Sequence, residues 1–226
     1  MTHFMGLDLG QQHDYTALVL VEPVEEKTGN KVTRQKINRH GIILGPTEED
    51  ELHTVHEVRH LQRWPLGTGY PEIVEDVRRM IASPELSDEP VYLALDATGV
   101  GRPVYDMFLS ELGWVSGGLL PVVIHGGADE HSHGGIARVP KRELVSRAVA
   151  LLQKRELKIA SALPHAQMLV EELKAFRLKI NVNTGHDSYE AWRERDHDDL
   201  VLALCIALWS AEKGSIAPFV VRDFVR

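Results

Sequence analysis

The chain has 226 residues, of which 43% are hydrophobic, and its 33 acidic against 25 basic side chains give a formal charge of −8. That length suits one α/β domain with a substantial core, and the composition is that of a globular chain. A single cysteine, Cys205, excludes an internal disulfide and a cysteine-based zinc finger, while the net charge argues against a general polyanion binder unless its cations gather on one face. No apolar run reaches the roughly 18 to 20 residues of a membrane span, and the N-terminus lacks a basic region followed by a signal core. The expectation is therefore no membrane association and a cytoplasmic location.

In chain order, apolar runs and alternation predict strands over Phe4–Leu9 and Ala17–Glu22. One or two more are expected between Lys31 and Leu44, and another over His53–Leu61, with Gly29-Asn30 and Gly45-Pro46 as turns. The spacing of Ile73, Val74, Val77, Met80 and Ile81 predicts a helix over Tyr70–Ala82. Val91–Leu95 reads as a short buried strand, Val104–Leu112 as a helix closing near Gly113, and Val122–His125 as a strand. The Gly-rich run "HGGADEHSHGGIARVP" reads as a mobile loop.

Pro140 opens a helix to about Lys154, with Leu144, Val145, Ala148, Leu151 and Leu152 on one face. Its other face carries Lys141, Arg142, Arg147 and Lys154. A helix over Pro164–Phe176 and a short strand near Leu178–Val182 follow, and the last helix, Leu200–Trp209, is apolar all round and expected to be buried.

Against this pattern the carboxylates stand out. Asp8 lies between Leu7 and Leu9, where a buried unpaired carboxylate costs several kcal/mol and Asp is otherwise depleted. Asp96 ends the strand "VYLALD" before the turn "ATGVG", and Asp198 and Asp199 open the buried last helix. Taken singly, Asp96 is a turn residue and Asp198 or Asp199 a helix cap; Asp8 has no standard structural task. Together, three elements each deliver an acid to a structural edge, the kind of place where α/β ligand sites form. Converging carboxylates repel one another, and hard divalent cations with oxygen ligands relieve that repulsion.

The segments "GLDLGQQHDYTALVLVE", "VYLALDATGVG", "VPKRELV" and "HDDLVLALCIAL" resemble, in order, the nuclease domain of phage large terminase subunits, a branch of the ribonuclease H-like fold. The resemblance covers residues 4 to 212 and leaves 213–226 as a tail of a single domain spanning 1–226. It implies a central mixed sheet of five or more strands flanked by helices. Its first and fourth strands would be adjacent, joining Asp8 to Asp96, with Asp199 arriving from the last helix. Asp198 matches a position acidic in some members, and Asp14 one that is often polar or acidic. No G-x-x-x-x-G-K-[ST] phosphate loop occurs in the chain, so no ATPase motor is expected within it. Partners implied are double-stranded DNA and a separate packaging ATPase or portal protein, in the host cytoplasm if the chain is phage-encoded.

The cluster suggests its own chemistry. Two divalent ions, Mg²⁺ or Mn²⁺, about 3.5 to 4 Å apart activate a water and stabilise the leaving 3′ oxygen in phosphodiester cleavage. Asp8 would bridge them, with Asp96 on one side and Asp199, helped by Asp198, on the other. His197 adjoins the site. Lys141, Arg142, Arg147 and Lys154, continued by Arg155 and Lys158, suit a phosphate backbone, with Lys141 the strongest of them; a solvated helix face is the plain alternative. His125, His131 and His133 read as loop histidines. Two other functions share the core fold: a Holliday-junction resolvase-like nuclease, and an actin- or sugar-kinase-like ATP phosphotransferase, to which "DLGQQHDYT" is also similar.

Overall fold

The structure is a computed structural model that describes residues 1–10, 14–99, 101–112, 115–182 and 198–214. Eight strands form one mixed sheet in the order β6-β7-β5-β4-β1-β2-β3-β8. β1 (His3–Asp8), β2 (Ala17–Ile37) and β3 (Ile43–Arg63) make an antiparallel meander. Helix α1 (Tyr70–Ile81) then leads to β4 (Val91–Asp96), which runs parallel to β1. Beyond α2 (Gly101–Leu112), β5 (Gly118–His125) joins β4 in parallel, and the hairpin β6 (His131–His133) with β7 (Ile136–Pro140) completes that side. Helix α3 (Lys141–Lys154) crosses to β8 (Leu157–Ile159) on the far edge, and α4 (Ala166–Val182) and α5 (Asp199–Gly214) follow. Among the described residues, no helix is long and apolar enough to cross a membrane.

Successive residues of β1 and β4 point to opposite faces. Met5, Leu7, Leu93 and Leu95 join one buried cluster with Ile73, Val77 and Phe108 of α1 and α2. Ala94 faces the other way, into the cluster built from α3, α4 and α5. By the same alternation Gly6 and Asp8, and Ala94 and Asp96, share the α5 side. Gly6 sets how close α5 comes: a Cβ there would lie 2.0 Å from the Ala203 carbonyl oxygen and 2.5 Å from the Ala207 nitrogen. Only a glycine admits this approach, and the backbone atoms it would strike have nowhere to yield.

Several elements differ from the sequence expectations. Gly29 and Gly45 do take positive φ, 86° and 114°, but within strands. They accompany register irregularities between Lys27 and Lys31 and near Lys36, while pairing continues on either side; the reversal comes at Asn38–Gly41. Glycine's freedom serves bulges here, because both flanks keep cross-strand partners. The run from His125 to Pro140 carries the β6–β7 hairpin, turned by Gly134 and Gly135 at positive φ, rather than loop alone. Leu178–Val182 belongs to α4, not to a strand, since helical hydrogen bonding runs on past the predicted end at Phe176.

Gly6→Ala should destabilise the protein by about 3 kcal/mol or more, at the upper end of overpacking costs, because α5 cannot retreat without opening the core beneath it. Thermal melts against wild type check this; a Tm change under about 2 °C would mean that α5 has room to move.

Candidate functional site

Asp8 is the last residue of β1, and Asp96 the last of the parallel neighbour β4, in a register that pairs Leu7 with Leu95. Both are buried, at 9% and 4% exposure. Asp199 begins α5, also buried, and Asp198 precedes it with its carbonyl accepting the Leu202 N–H. Since α5 rests on Gly6 through Ala203 and Ala207, its first turn lies level with the end of β1. The structure thus brings Asp8, Asp96, Asp198 and Asp199 together.

The electrostatics carry the mark of that convergence. Burial drives the Asp8 carboxyl well above the usual carboxylate range, and the charges of Asp96, Asp199 and Asp198 push it further; Lys141 opposes them. The Thr98 N–H donates to Asp96 Oδ1 at 2.7 Å, so this acid also holds its turn in the manner of an ordinary Asx residue. The Thr98 Oγ1 in turn accepts the Ile124 N–H, tying the turn to β5. At α5, the macrodipole and free N–H groups favour the acids.

Four side chains at or beside the site, Arg63, Tyr15, Met168 and Glu172, were not singled out by sequence reasoning. Arg63, the last residue of β3, donates from Nη2 to Asp199 Oδ2 at 3.0 Å, with both side chains nearly buried. Its guanidinium lies 3.6 Å from the centroid of the Tyr15 ring and donates to Met168 Sδ. Glu172 of α4 accepts the Val201 N–H with one carboxyl oxygen, leaving Oε1 buried without a partner. Burial pushes its carboxyl up to about 7. No sequence motif marks Arg63 or Glu172, because each reaches the site from an element distant in the chain.

The basic helix divides. Lys141 Nζ stands 3.9 Å from Asp198 Oδ2, with little exposure. Arg142 is exposed and donates to the Ala128 carbonyl. Arg147 is paired with Glu143 and Glu212, and Lys154 lies near Glu156 at the exposed far end. Asp14 is exposed, and His197 lies outside the described residues.

An all-oxygen donor set with one strongly desolvated member is the chemistry hard divalent ions take. Among the described residues, however, no group of three or more His, Cys, Asp and Glu side chains stands in coordinating geometry. In this arrangement the chain's own cations engage two of the acids, Arg63 on Asp199 and Lys141 near Asp198.

No protein-family model and no curated protein matches the chain. Two solved structures are similar to it. The large terminase nuclease from thermophilic phage G20c aligns at 15% identity over 91% of this chain and 80% of its own, with a TM-score of 0.48. The human cytomegalovirus terminase nuclease domain aligns at 14% identity over 92% of this chain and 82% of its own, with a TM-score of 0.50. The cytomegalovirus likeness shows the fold: a mixed α/β sheet flanked by helices, of the ribonuclease H-like class to which terminase nuclease domains belong.

If Arg63 neutralises Asp199 in the metal-free protein, Arg63→Met should cost about 3 kcal/mol, the usual penalty for leaving one buried charge uncompensated. Adding Asp199→Asn should recover most of that loss. Melts in EDTA decide; no recovery in the double variant would place Arg63's contribution in its Tyr15 and Met168 contacts.

Folding raises Glu172 from its ordinary 4.5 to about 7 and raises Asp8 as well. A raised pKa contributes stability that is full below the unfolded value and lost as pH climbs through the folded one. Glu172 should therefore pull the metal-free Tm down as pH rises from 4.5 to 7, against the opposite pull of His3, His56 and His60, whose imidazole pKa values burial lowers, and Glu172→Gln should tilt the Tm–pH curve upward across that window. A melt series in EDTA giving parallel pH curves for both proteins would exclude Glu172 as a source.

Proposed function

We propose that the chain is a metal-dependent endodeoxyribonuclease that cleaves phosphodiester bonds of double-stranded DNA by a two-metal mechanism, in the setting of viral DNA packaging. The observation carrying this reading is the meeting of Asp8 and Asp96 at the ends of adjacent parallel strands with Asp198 and Asp199 on the first turn of α5. The shared fold with the cytomegalovirus terminase nuclease domain supports it.

Bound Mg²⁺ or Mn²⁺ would supply Lewis acidity, lowering the pKa of a water and stabilising the leaving 3′ oxygen. Asp8, Asp96, Asp198 and Asp199 are the residues to hold these ions, with Asp8 central because the other three all act on it. The catalytic carboxylates are assigned as Asp8, Asp96 and Asp199. Thr98 orients Asp96 through one oxygen, and Arg63 orients Asp199 in the same way, so both acids are held in place before an ion arrives. Lys141 enters the cluster beside Asp198 and is suited to compensate an incoming phosphate. Arg142, Arg147 and Lys154 are proposed as further backbone contacts along α3, of which Arg147 must exchange its glutamate partners for phosphate. A packaging ATPase or portal protein is the partner that fits this role, with the host cytoplasm as the setting if the chain is phage-encoded.

Asp8→Asn and Asp96→Asn should each abolish nicking and cutting of supercoiled plasmid in Mn²⁺ or Mg²⁺, since an amide replaces an anionic ligand poorly. The same variants should lose the thermal stabilisation that Mn²⁺ gives wild type, about 2.7 kcal/mol at one hundred times the dissociation constant for a site present only in the folded state. Near wild-type cleavage by either variant, or equal Mn²⁺-induced shifts in all three proteins, would sink the assignment.

A further inference from the structure

β2 and β3 are far longer than the sheet needs. β1 stops pairing with β2 at Phe4 opposite Val21, yet β2 continues to Ile37, sixteen residues on. With β3 it makes a two-stranded ribbon reaching roughly 50 Å beyond the sheet, at about 3.3 Å per residue. Because β2 starts opposite Asp8 and runs antiparallel to β1, the ribbon leaves from the end of the sheet opposite the acids.

Its tip is built to be ordered without a core. The Asn38 Oδ1 accepts the N–H groups of His40 and Ile42, and the Asn38 N–H donates to the Ile42 carbonyl. Around this turn Ile37, Ile42, Ile43 and Leu44 are 58–63% exposed. From Thr28 to Thr47 there is no acidic residue, and Lys31, Arg34, Lys36 and Arg39 are all exposed. From the Arg34–Thr47 pair outward the tip carries +3, from Arg34, Lys36 and Arg39, while the rest of the chain carries −11, since their sum is the −8 of the whole. Behind it the ribbon's shoulder is acidic, with Glu48 and Glu49 opposite Thr33 and Val32, while Asp50 pairs with Lys27 and Glu51 accepts from Thr28 and Asn30.

We propose that this tip is a second contact for duplex DNA, remote from the site of cleavage. Exposed aliphatic side chains gathered on a monomer's surface signal a binding partner, and the local charge selects a polyanion. A two-stranded ribbon fits the major groove, cations beside it neutralise phosphates, and aliphatic side chains at its tip can pack on the thymine methyl groups exposed there. The contact rests on the nuclease reading for its choice of DNA, and adds to it a hold on the duplex that does not depend on the acids.

Fluorescence anisotropy with a duplex of about 40 base pairs in EDTA, over a range of salt, tests this. Combining Arg34→Gln, Lys36→Gln and Arg39→Gln should weaken binding and lower the slope of log affinity against log salt by up to about 2.7, at about 0.9 for each phosphate no longer neutralised. Combining Ile42→Ser and Ile43→Ser should weaken binding without altering the slope. A folded triple variant with the wild-type slope overturns the tip contact while leaving the nuclease reading standing; a wild type that binds no duplex overturns both. Light scattering on the same samples adds the remaining arm: a wild-type dimer that the Ile42 and Ile43 substitutions convert to monomer, with DNA binding intact, assigns the tip to a second copy of the chain and overturns the proposal.

Discussion

The close approach of α5 to β1 at Gly6 is the constraint on which the rest of the molecule depends. Without a side chain at this position, the helix backbone rests on the strand backbone through Ala203 and Ala207. That fixes the height of the helix's first turn against the strand's last residue. Asp199 therefore arrives beside Asp8, and β4 brings Asp96 from the other side. Leu200, Leu204 and Leu208 bury the helix among α3, α4 and the sheet, so hydrophobic packing supplies the force that drives like charges together.

That force is opposed at the site. Asp8 is desolvated and repelled by three neighbours, and Glu172 is lifted to about 7 close behind them. The chain limits the cost locally. Arg63 donates to Asp199, Lys141 approaches Asp198, the Thr98 N–H binds Asp96, and the positive end of α5 faces the group. A fold selected for stability alone would have replaced Asp8 with an apolar residue like its neighbours Leu7 and Leu9. Retaining it costs stability, and such sites are where natural proteins accept that cost for function.

The molecule is polarised along its strands. Carboxylates collect where β1 and β4 end, whereas the β2–β3 ribbon carries cations and exposed aliphatic residues away from the opposite end. A net charge of −8 averages these extremes and describes neither. Lys141 and Arg147 show the same effect at smaller scale. They share a helix with Lys154 and read as one basic stripe, but Lys141 turns toward Asp198 and Arg147 toward Glu143 and Glu212.

Features that depend on local pattern were legible in the sequence. Period-2 alternation and apolar runs marked β1, the start of β2 and β4; the helical spacing of Ile73, Val74, Val77, Met80 and Ile81 marked α1; the all-round apolarity of Leu200–Trp209 marked a buried helix; and Asp8 betrayed a special role because no local rule places an acid there. The pattern failed where one local signal serves two outcomes. Gly29 and Gly45 permit positive φ equally well in a turn or a bulge, and only pairing with the opposite strand selects the bulge. Leu178–Val182 suits either a strand or a continuing helix, and helical hydrogen bonds carried over from α4 decide it. Arg63, Tyr15 and Glu172 were invisible for a deeper reason. Arg63 reaches Asp199 across more than a hundred residues of chain, Tyr15 stacks under that same guanidinium, and Glu172 meets Val201 from a separate helix; such proximity exists only once the sheet has closed and α5 has settled on Gly6.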